Sequence, residues 1–325
     1  MTVVDLTQEE EDAILASFDP ISAMAKTNHE ALAALIANIK TTNPDFKDLI
    51  DRIRGRIEGK DIGETDVPAP DPIVKRGDVW QLGHHRVICG DSTDPEVWER
   101  LLGDVHAELC FTSPPYNVGY LGMPGLKGTS KKYINDEDET GTDEYLEFLT
   151  KFTQCAIENC DDVLVNIGLV SGNRRAVIRY LDIFIDSFKD ILYWVKDTAA
   201  PHINEGTVNN RVEPIYAFGD GKRAFRHPNF QQGTFWNVIE GPNASGNKAS
   251  EIHKATFPLY LPESIISAFS RSGNSVVDPF LGTGTTLIAA ENQGRKCFGI
   301  ELEPAYCDYT IKRWEIETGG KAKKL

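Results

Sequence analysis

The chain reads SVVDPFLGTGTT from Ser275 to Thr286, and this stretch decides the fold class. The apolar run that ends at Asp278 predicts a strand, and the residues after Gly284 predict a helix. Glycines between a strand and a helix permit a tight turn and let a ligand approach the backbone closely. Free amide groups at the start of the helix favour an anionic group such as a carboxylate. The stretch therefore predicts a ligand-binding turn in an α/β protein.

Strands and helices alternate through the chain from residue 73 onward. The predicted strands are 86–89, 107–111, 162–167, 191–195, 212–218, 275–277 and 296–300. The predicted helices are 95–102, 144–158, 173–184, 262–271, 285–293 and 304–316. This alternation predicts a mostly parallel sheet flanked by helices, with ligands at the carboxyl ends of the strands. We expect one such domain at 73–325, with an irregular stretch at 220–252, after an N-terminal helical segment at 1–63 and a linker at 64–72.

Composition and charge exclude some classes of protein. The chain has no apolar run of membrane-spanning length and no signal-like N-terminus, so we expect a cytoplasmic protein. Its six cysteines form no Cys-x-x-Cys pair, which argues against structural disulfides and a metal site. The absence of a Pro-Cys dipeptide argues against a cysteine nucleophile of the kind that cytosine carbon-5 methylation needs. The net charge of −15 opposes nucleic-acid binding only weakly, because the distribution of charge matters more than its sum.

A second informative stretch reads TSPPY from Thr112 to Tyr116, directly after a predicted strand. The two prolines fix the backbone and lack amide donors, so neighbouring carbonyls are left as acceptors. An exocyclic amine on a base is a poor nucleophile, because its lone pair is delocalised into the ring. The oxygen of Ser113 and a backbone carbonyl could accept its two hydrogens and hold the lone pair toward an electrophilic methyl group. The ring of Tyr116 could stack on the base and favour the positive charge that develops.

The cofactor type follows from what accompanies the glycine turn. Residue 287 is Leu, so the third glycine of the dinucleotide fingerprint is missing and an NAD-dependent dehydrogenase is disfavoured. Glu301 follows the next strand and is placed to accept hydrogen bonds from ribose hydroxyls. Asp91 ends another strand and could lie near an adenine amino group. Taken singly, Asp91, Asp278 and Glu301 could equally be turn or strand-end residues.

The joint occurrence of TSPPYNVGY, DPFLGTGTT and GIELEPAY resembles the amino-group DNA methyltransferases, which use S-adenosyl-L-methionine to modify cytosine N4 or adenine N6. The catalytic motif precedes the cofactor motif, as in the beta arrangement of that family. The resemblance covers about 73–317 and implies a Rossmann-like methyltransferase domain. Residues 1–72 resemble the acidic helical region and linker that precede such domains in phage- and prophage-type methylases.

The resemblance also implies roles for individual residues. The implied catalytic residues are Ser113, Pro114, Pro115 and Tyr116. The segment from His253 to Leu259 is expected to line the methionine end of the cofactor site. The implied cofactor residues are Asp91, Thr112, Ser113, His253, Thr256, Phe257, Pro258, Asp278, Phe280, Gly282, Thr283, Gly284, Thr285, Glu301 and Leu302.

The implied partner is double-stranded DNA, and the target base must be flipped because a base inside a duplex cannot reach such a pocket. The target-recognition region is expected at 220–252, and a basic cluster also stands at Arg174 and Arg175. A homodimer and a cognate restriction endonuclease are further partners that the resemblance allows. The candidate DNA contacts are Lys131, Lys132, Lys222, Arg223, Arg226, Gln231, Trp236 and Asn237.

Three alternatives stay open beside transfer to cytosine N4. Ser113 favours cytosine over adenine, because the family mostly shows Asp at this position for adenine N6, but either side chain supplies an acceptor oxygen. A glutamine-amide methyltransferase of release factors uses Asn-Pro-Pro-Tyr and the reverse motif order. A non-catalytic DNA-binding accessory on a methylase scaffold would be disfavoured by the intact tetrad and by Gly282, Gly284 and Glu301.

Overall fold

The structure is a computed structural model that describes residues 67–68, 70–116, 139–170, 172–196, 210–222, 225, 235–241 and 257–325. All of these residues belong to one compact unit, Asp66–Leu325. The helical segment predicted at 1–63 lies outside the described residues, and the predicted linker at 64–72 is described only in part.

The described residues form one mixed sheet and six α-helices. The strands are β1 (Val79–Leu82), β2 (His85–Cys89), β3 (Ala107–Thr112), β4 (Cys160–Asn166), β5 (Phe188–Lys196), β6 (Val212–Phe218), β7 (Val238–Gly241), β8 (Ser275–Asp278), β9 (Lys296–Glu301) and β10 (Lys323–Lys324). The helices are α1 (Pro95–Leu102), α2 (Glu139–Asn159), α3 (Arg174–Ile183), α4 (Tyr260–Phe269), α5 (Thr285–Asn292) and α6 (Pro304–Thr318).

The strand order of the sheet is β10-β1-β2-β9-β8-β3-β4-β6-β5-β7. Strands β2, β9, β8, β3 and β4 are mutually parallel, whereas β6 runs antiparallel between β4 and β5. From β8 the chain crosses to β9 on one side, and from β3 it crosses to β4 on the other. The loops after β3 and β8 therefore flank a topological switch point, where open α/β sheets bind their ligands.

The central strands are buried on both faces, which explains their nearly continuous apolar sequences. In β3, Leu109 and Phe111 pack in the layer that contains α4, α5 and α6, and Cys110 packs in the layer with α1, α2 and α3. This alternation follows from the two-residue period of a strand. The prediction of a mostly parallel sheet flanked by helices on both faces is confirmed.

Some predicted boundaries are wrong. The stretch predicted as irregular at 220–252 contains strand β7, which pairs in parallel with β5. Helix α2 begins at Glu139, ahead of the predicted residue 144, and β5 begins at Phe188, ahead of the predicted residue 191. Two short strands at one side of the sheet were not predicted: β10, which forms the edge, and β1, which pairs antiparallel with both β10 and β2. All six cysteines are buried and free.

Candidate active site

The two informative loops meet at the switch point, and one carboxylate joins them. The hydroxyl of Thr112 donates a 2.6 Å hydrogen bond to Oδ1 of Asp278. The same oxygen accepts the amide of Phe280 at 3.0 Å, and Oδ2 accepts the hydroxyl of Thr286 at 2.6 Å. Asp278 is buried, and burial raises the pKa of its carboxyl group. In this structure Asp278 therefore binds protein groups on both oxygens and connects the TSPPY loop to the glycine turn.

Helix α6 holds the glycine turn from one side. Gly282 and Gly284 both have positive φ angles, 55° and 81°. A Cβ on Gly284 would lie 2.7 Å from Cγ2 of Thr310, so the helix passes too close for a side chain. The hydroxyl of Thr310 donates to the Gly282 carbonyl at 3.1 Å, and Nη1 of the buried Arg313 donates to the Thr283 carbonyl at 3.0 Å. The turn is thus fixed by its glycines and by two side chains of α6.

Glu301 lies beside this turn at the end of β9, where it was predicted to meet a ribose. Its Oε2 accepts the amide of Gly282 at 2.8 Å, and its Oε1 accepts the amide of Glu303 at 2.8 Å. Burial raises the pKa of Glu301 to about 7, although the two backbone hydrogen bonds oppose that shift. An ionised carboxylate has about four acceptor positions, so each oxygen can accept a further hydrogen bond. Glu301 can therefore receive two hydroxyl groups of a ligand.

The remaining predicted cofactor residues surround the same strand ends. Asp91 is exposed after β2 and accepts the amide and the hydroxyl of Thr93, both at 2.8 Å. The ring of Phe280 packs 4.9 Å from that of Phe152, and the ring of Phe257 packs 5.6 Å from that of Phe111. The other described members of the predicted set are Pro258, Thr283, Thr285 and Leu302. His253 and Thr256 lie outside the described residues.

The hydroxyl groups of Ser113 and Tyr116 point toward the carboxyl end of β4 and the start of β6. Oγ of Ser113 donates to the main-chain carbonyl of Asn166 at 3.2 Å. The hydroxyl of Tyr116 lies 3.0 Å from Oδ1 of Asn166 and 2.9 Å from Oε2 of Glu213. Burial, and then the charge of Glu213, raise the pKa of Tyr116 well above its ordinary value. The Tyr116 hydroxyl is therefore protonated and anchored. The Ser113 proton lies in the bond to Asn166, which leaves the lone pairs of the Ser113 oxygen as acceptors.

The backbone of the same loop is held by α2 and by the segment before α3. The hydroxyl of Tyr145 donates to the Pro115 carbonyl at 2.6 Å. Nδ2 of Asn173 donates to the Tyr116 carbonyl at 2.9 Å, and the Tyr116 ring passes so close to Gly168 that a Cβ there would lie 3.0 Å from it. Since Tyr145 uses the Pro115 carbonyl, the Pro114 carbonyl is the better candidate acceptor for a base amine.

Sequence reasoning missed the polar residues that support the tetrad. Asn166 was inside a predicted strand, and its position at a carboxyl strand end beside TSPPY could have indicated a role. Glu213 was also inside a predicted strand, but the antiparallel direction of β6 was needed to bring it to this edge. The others at the tetrad are Tyr145, Asn173 and Lys196, and Arg313, which holds the glycine turn, was missed as well. Among the described residues, no cluster of three or more potential ligands could hold a metal ion.

Three members of the predicted DNA-contact set are described, and one of them, Lys222, lies away from the tetrad. Lys222 follows the carboxyl end of β6, and β6 runs away from the tetrad for about 20 Å. Its Nζ lies 3.4 Å from Oδ2 of Asp220. Trp236 is 77% exposed ahead of β7, and Nδ2 of Asn237 donates to the Ile191 carbonyl at 3.2 Å. These placements do not bring Lys222 to the tetrad. Predicted contacts that lie outside the described residues are Lys131, Lys132, Arg223, Arg226 and Gln231.

Comparison with known proteins places the chain in a family. The family model described as DNA methylase matches residues 107–312, and the chain belongs to that family. The orphan methyltransferase M.BamHII of Bacillus amyloliquefaciens is 38% identical over 241 residues, which are 65% of this chain and 90% of that protein. The type II methyltransferases M.BglI of Bacillus subtilis and M.ScaI of Streptomyces caespitosus are 40% and 43% identical over 81 and 77 residues, which are 24% and 22% of this chain and only 23% and 25% of those proteins.

Solved structures show the same fold at lower identity. PvuII DNA methyltransferase, described as cytosine-N4-specific, has a TM-score of 0.55 and 22% identity, and the match covers 74% of this chain and 92% of that chain. A Thermus thermophilus protein, solved in complex with S-adenosyl-L-methionine, has a TM-score of 0.51 and 23% identity, covering 73% and 98%. These likenesses confirm the Rossmann-like fold of the methyltransferases. No helix in the described ranges has the length and apolar character to cross a membrane.

Proposed function

We propose that the protein transfers a methyl group from S-adenosyl-L-methionine to the exocyclic amine of a flipped base in double-stranded DNA, with cytosine N4 the favoured acceptor. The observation that carries this proposal is the hydrogen bond between Thr112 and Asp278. This bond joins the TSPPY loop to the glycine turn, and the contact supports an amine-binding loop next to a cofactor-binding turn. Membership of the DNA methylase family and the likeness to M.BamHII support the same activity.

The residues present fit S-adenosyl-L-methionine. Each oxygen of Glu301 has acceptor capacity left for a ribose hydroxyl. At Gly282 the nearest protein atom to an added Cβ is 3.9 Å away, so the turn leaves space beside its backbone. When bound, the cofactor supplies an electrophilic methyl group on a sulfonium. The likeness to a structure solved in complex with this molecule supports the assignment.

The tetrad can hold the acceptor amine for in-line transfer. Because Ser113 donates its proton to Asn166, its oxygen lone pairs are left to accept one amine hydrogen. In this proposal the Pro114 carbonyl accepts the other. With the cofactor bound, the amine lone pair would face the methyl group, the N–C bond would form as the C–S bond breaks, and the amine nitrogen would afterwards lose one proton to solvent. This chemistry requires orientation and needs no covalent enzyme intermediate.

The base assignment rests on Ser113, so its test must identify the product. The protein is incubated with DNA of several sequences and methyl-labelled cofactor, and the modified nucleoside is identified by mass spectrometry. We expect N4-methylcytosine; N6-methyladenine alone would overturn the base assignment. Absence of transfer while the cofactor binds would support the non-catalytic accessory in place of an enzyme.

A matched pair of variants tests whether the tetrad carries the reaction. Ser113→Ala is expected to lose transfer and retain cofactor binding, whereas Ser272→Ala changes an exposed serine far from the tetrad and is expected to leave transfer intact. Tyr116→Ala is likewise expected to abolish transfer with cofactor binding largely retained, and equal loss of both would indicate a structural role. Homodimer formation and a cognate endonuclease remain parts of the proposal, and light scattering of the purified protein tests the dimer.

A further inference from the structure

A chain of polar side chains lies beneath the tetrad and connects it to a buried ion pair. Oε2 of Glu213 lies 2.9 Å from the Tyr116 hydroxyl, and Oε1 of Glu213 forms an ion pair with Nζ of Lys196. The two charged side chains are only 19% and 22% exposed. The ammonium group of Lys196 also lies 4.4 Å from the centre of the Trp194 ring. One carboxylate therefore divides its two oxygens between a cation and a tyrosine of the TSPPY loop.

The sheet topology explains why this carboxylate reaches the tetrad. In a parallel sheet, the start of a strand lies at the edge opposite the ligand-binding loops. Strand β6 is antiparallel to both β4 and β5, so its first residues lie beside their carboxyl ends. Glu213 pairs in register with Trp194, and the amide of Lys196 donates to the Arg211 carbonyl at 2.9 Å. The reversed strand β6 thus delivers a side chain from its own beginning to the reactive edge.

The hydrogen bonds define the orientation of Tyr116. A phenol that donates to a carboxylate forms a short, directional, charge-assisted bond. Burial and the charge of Glu213 raise the pKa of Tyr116, so the phenol keeps its proton. The other acceptor near the phenol, Oδ1 of Asn166, lies 3.0 Å away, and Asn166 also receives the Ser113 hydroxyl through its carbonyl. Displacement of Tyr116 would therefore disturb the environment of Ser113 as well.

We propose that Glu213, held by Lys196, is a positioning residue for methyl transfer: it fixes the Tyr116 hydroxyl and, through Asn166, the acceptor oxygen of Ser113. This inference rests on the proposed function of the tetrad. The geometry favours positioning over a proton relay, because Oγ of Ser113 and the Tyr116 hydroxyl are 3.4 Å apart, which is long for proton transfer. Small misplacements at a reacting centre lower rates by about 100-fold, so an effect of about 10- to 100-fold is expected on the transfer step.

A double-mutant cycle tests the inference with single-turnover methyl transfer as the readout. Glu213→Ala is expected to slow transfer about 10- to 100-fold, with cofactor affinity changed less than about twofold. If Glu213 acts through the phenol, Glu213→Ala has no further effect in a Tyr116→Phe protein. Losses that multiply in the double variant would overturn the inference. Glu213→Gln keeps one acceptor oxygen and is expected to recover part of the rate that Glu213→Ala loses.

A matched control and a spectroscopic readout separate positioning from folding and from the proposed function. Glu315 forms an ion pair with Lys321 near the end of α6, and its side chain is 17% exposed, so Glu315→Ala is expected to leave transfer unchanged. Wild-type protein without transfer would refute the proposed function itself. Even in that case, fluorine NMR of 3-fluorotyrosine-labelled protein tests the contact between Glu213 and the Tyr116 hydroxyl. The Tyr116 signal is assigned by its absence from the Tyr116→Phe protein. Ionisation of the Tyr116 phenol is expected to move to lower pH in Glu213→Gln, and an unchanged titration would refute the contact.

Discussion

Cofactor affinity should depend on pH through Glu301, because this carboxylate is buried at the predicted ribose site. Burial raises the pKa of Glu301 to about 7, so a large fraction of the protein carries the neutral acid below neutral pH. An ionised carboxylate accepts hydroxyl hydrogen bonds more strongly than a neutral acid does. Ligand binding should therefore favour the ionised form, and affinity should rise as pH increases through the pKa.

The size of the effect follows from the fraction of protein in the ionised state. If only this form binds, the apparent Kd is the intrinsic Kd divided by that fraction. With a pKa of about 7, the ionised fraction is about one tenth at about pH 6 and about nine tenths at about pH 8. The apparent Kd should therefore fall about tenfold across this interval.

Stability without ligand should change in the opposite direction. A carboxyl group whose pKa is raised in the folded state contributes stability below the unfolded pKa of about 4.5 and loses it as pH rises through about 7. At about 1.4 kcal/mol per pH unit, this difference amounts to about 3 kcal/mol at alkaline pH. The ionised, buried carboxylate thus lowers the stability of the ligand-free protein, and ligand hydroxyls that donate to it would offset part of that loss.

The assay is equilibrium binding of adenosine by calorimetry between about pH 6 and pH 8. Adenosine has the ribose and lacks the amino-acid portion of the cofactor, whose amine titrates near this range. The wild-type protein should show the about tenfold change, and Glu301→Gln should bind more weakly with little dependence on pH. A flat wild-type curve, or an equal slope in Glu301→Gln, would refute the assignment of Glu301 to the ribose.

Three further predictions follow from single contacts. Gly284→Ala should lower the free energy of unfolding by about 2–3 kcal/mol in urea titrations, because φ is 81° and the added Cβ meets Thr310. Thr310→Ser should recover part of this loss in the Gly284→Ala protein. An unchanged free energy of unfolding would contradict the close approach. Asp278→Asn should cost about 1–3 kcal/mol in the same assay, since an amide nitrogen cannot accept a hydroxyl hydrogen, and an unaffected variant would refute the joining role. Arg175→Gln should lower the slope of log DNA affinity against log salt concentration by about one unit, since Arg175 stands at the start of α3 near the tetrad. Lys222→Gln should leave this slope unchanged. The reverse result would place the DNA at the sheet edge opposite the tetrad.

The parallel core could be predicted from sequence because its signals are local. Strands such as β3 and β9 are short apolar runs, and each ends at a polar or glycine-containing loop. The rule that ligands bind at carboxyl strand ends then placed TSPPY and the glycine turn at one edge before any contact was known. The bond between Thr112 and Asp278 shows that the two loops are direct neighbours.

The antiparallel part could not be predicted, because strand direction depends on pairing between distant segments. The pattern of β6 identifies a strand but carries no information on its direction, so the role of Glu213 and the remote position of Lys222 were both missed. Strand β7 is four residues long in a segment of mixed composition, and only its pairing with β5 defines it. Tyr145 was missed for a similar reason, since its contact with Pro115 joins residues 30 positions apart.

Two buried carboxylates at the ends of neighbouring strands, Asp278 and Glu301, differ in their hydrogen-bond partners. Asp278 accepts two hydroxyl groups and an amide, and the hydroxyls come from the TSPPY loop and from α5. Glu301 accepts only two amides, so it has capacity for ligand hydroxyls. In-line transfer requires the methyl carbon and the amine nitrogen to approach within about 3–3.5 Å. The proposed binding sites of these two groups lie on different loops. Because Asp278 links those loops directly, its hydrogen bonds set the spacing of the two loops, whereas we propose that Glu301 sets how tightly the glycine turn binds its ligand.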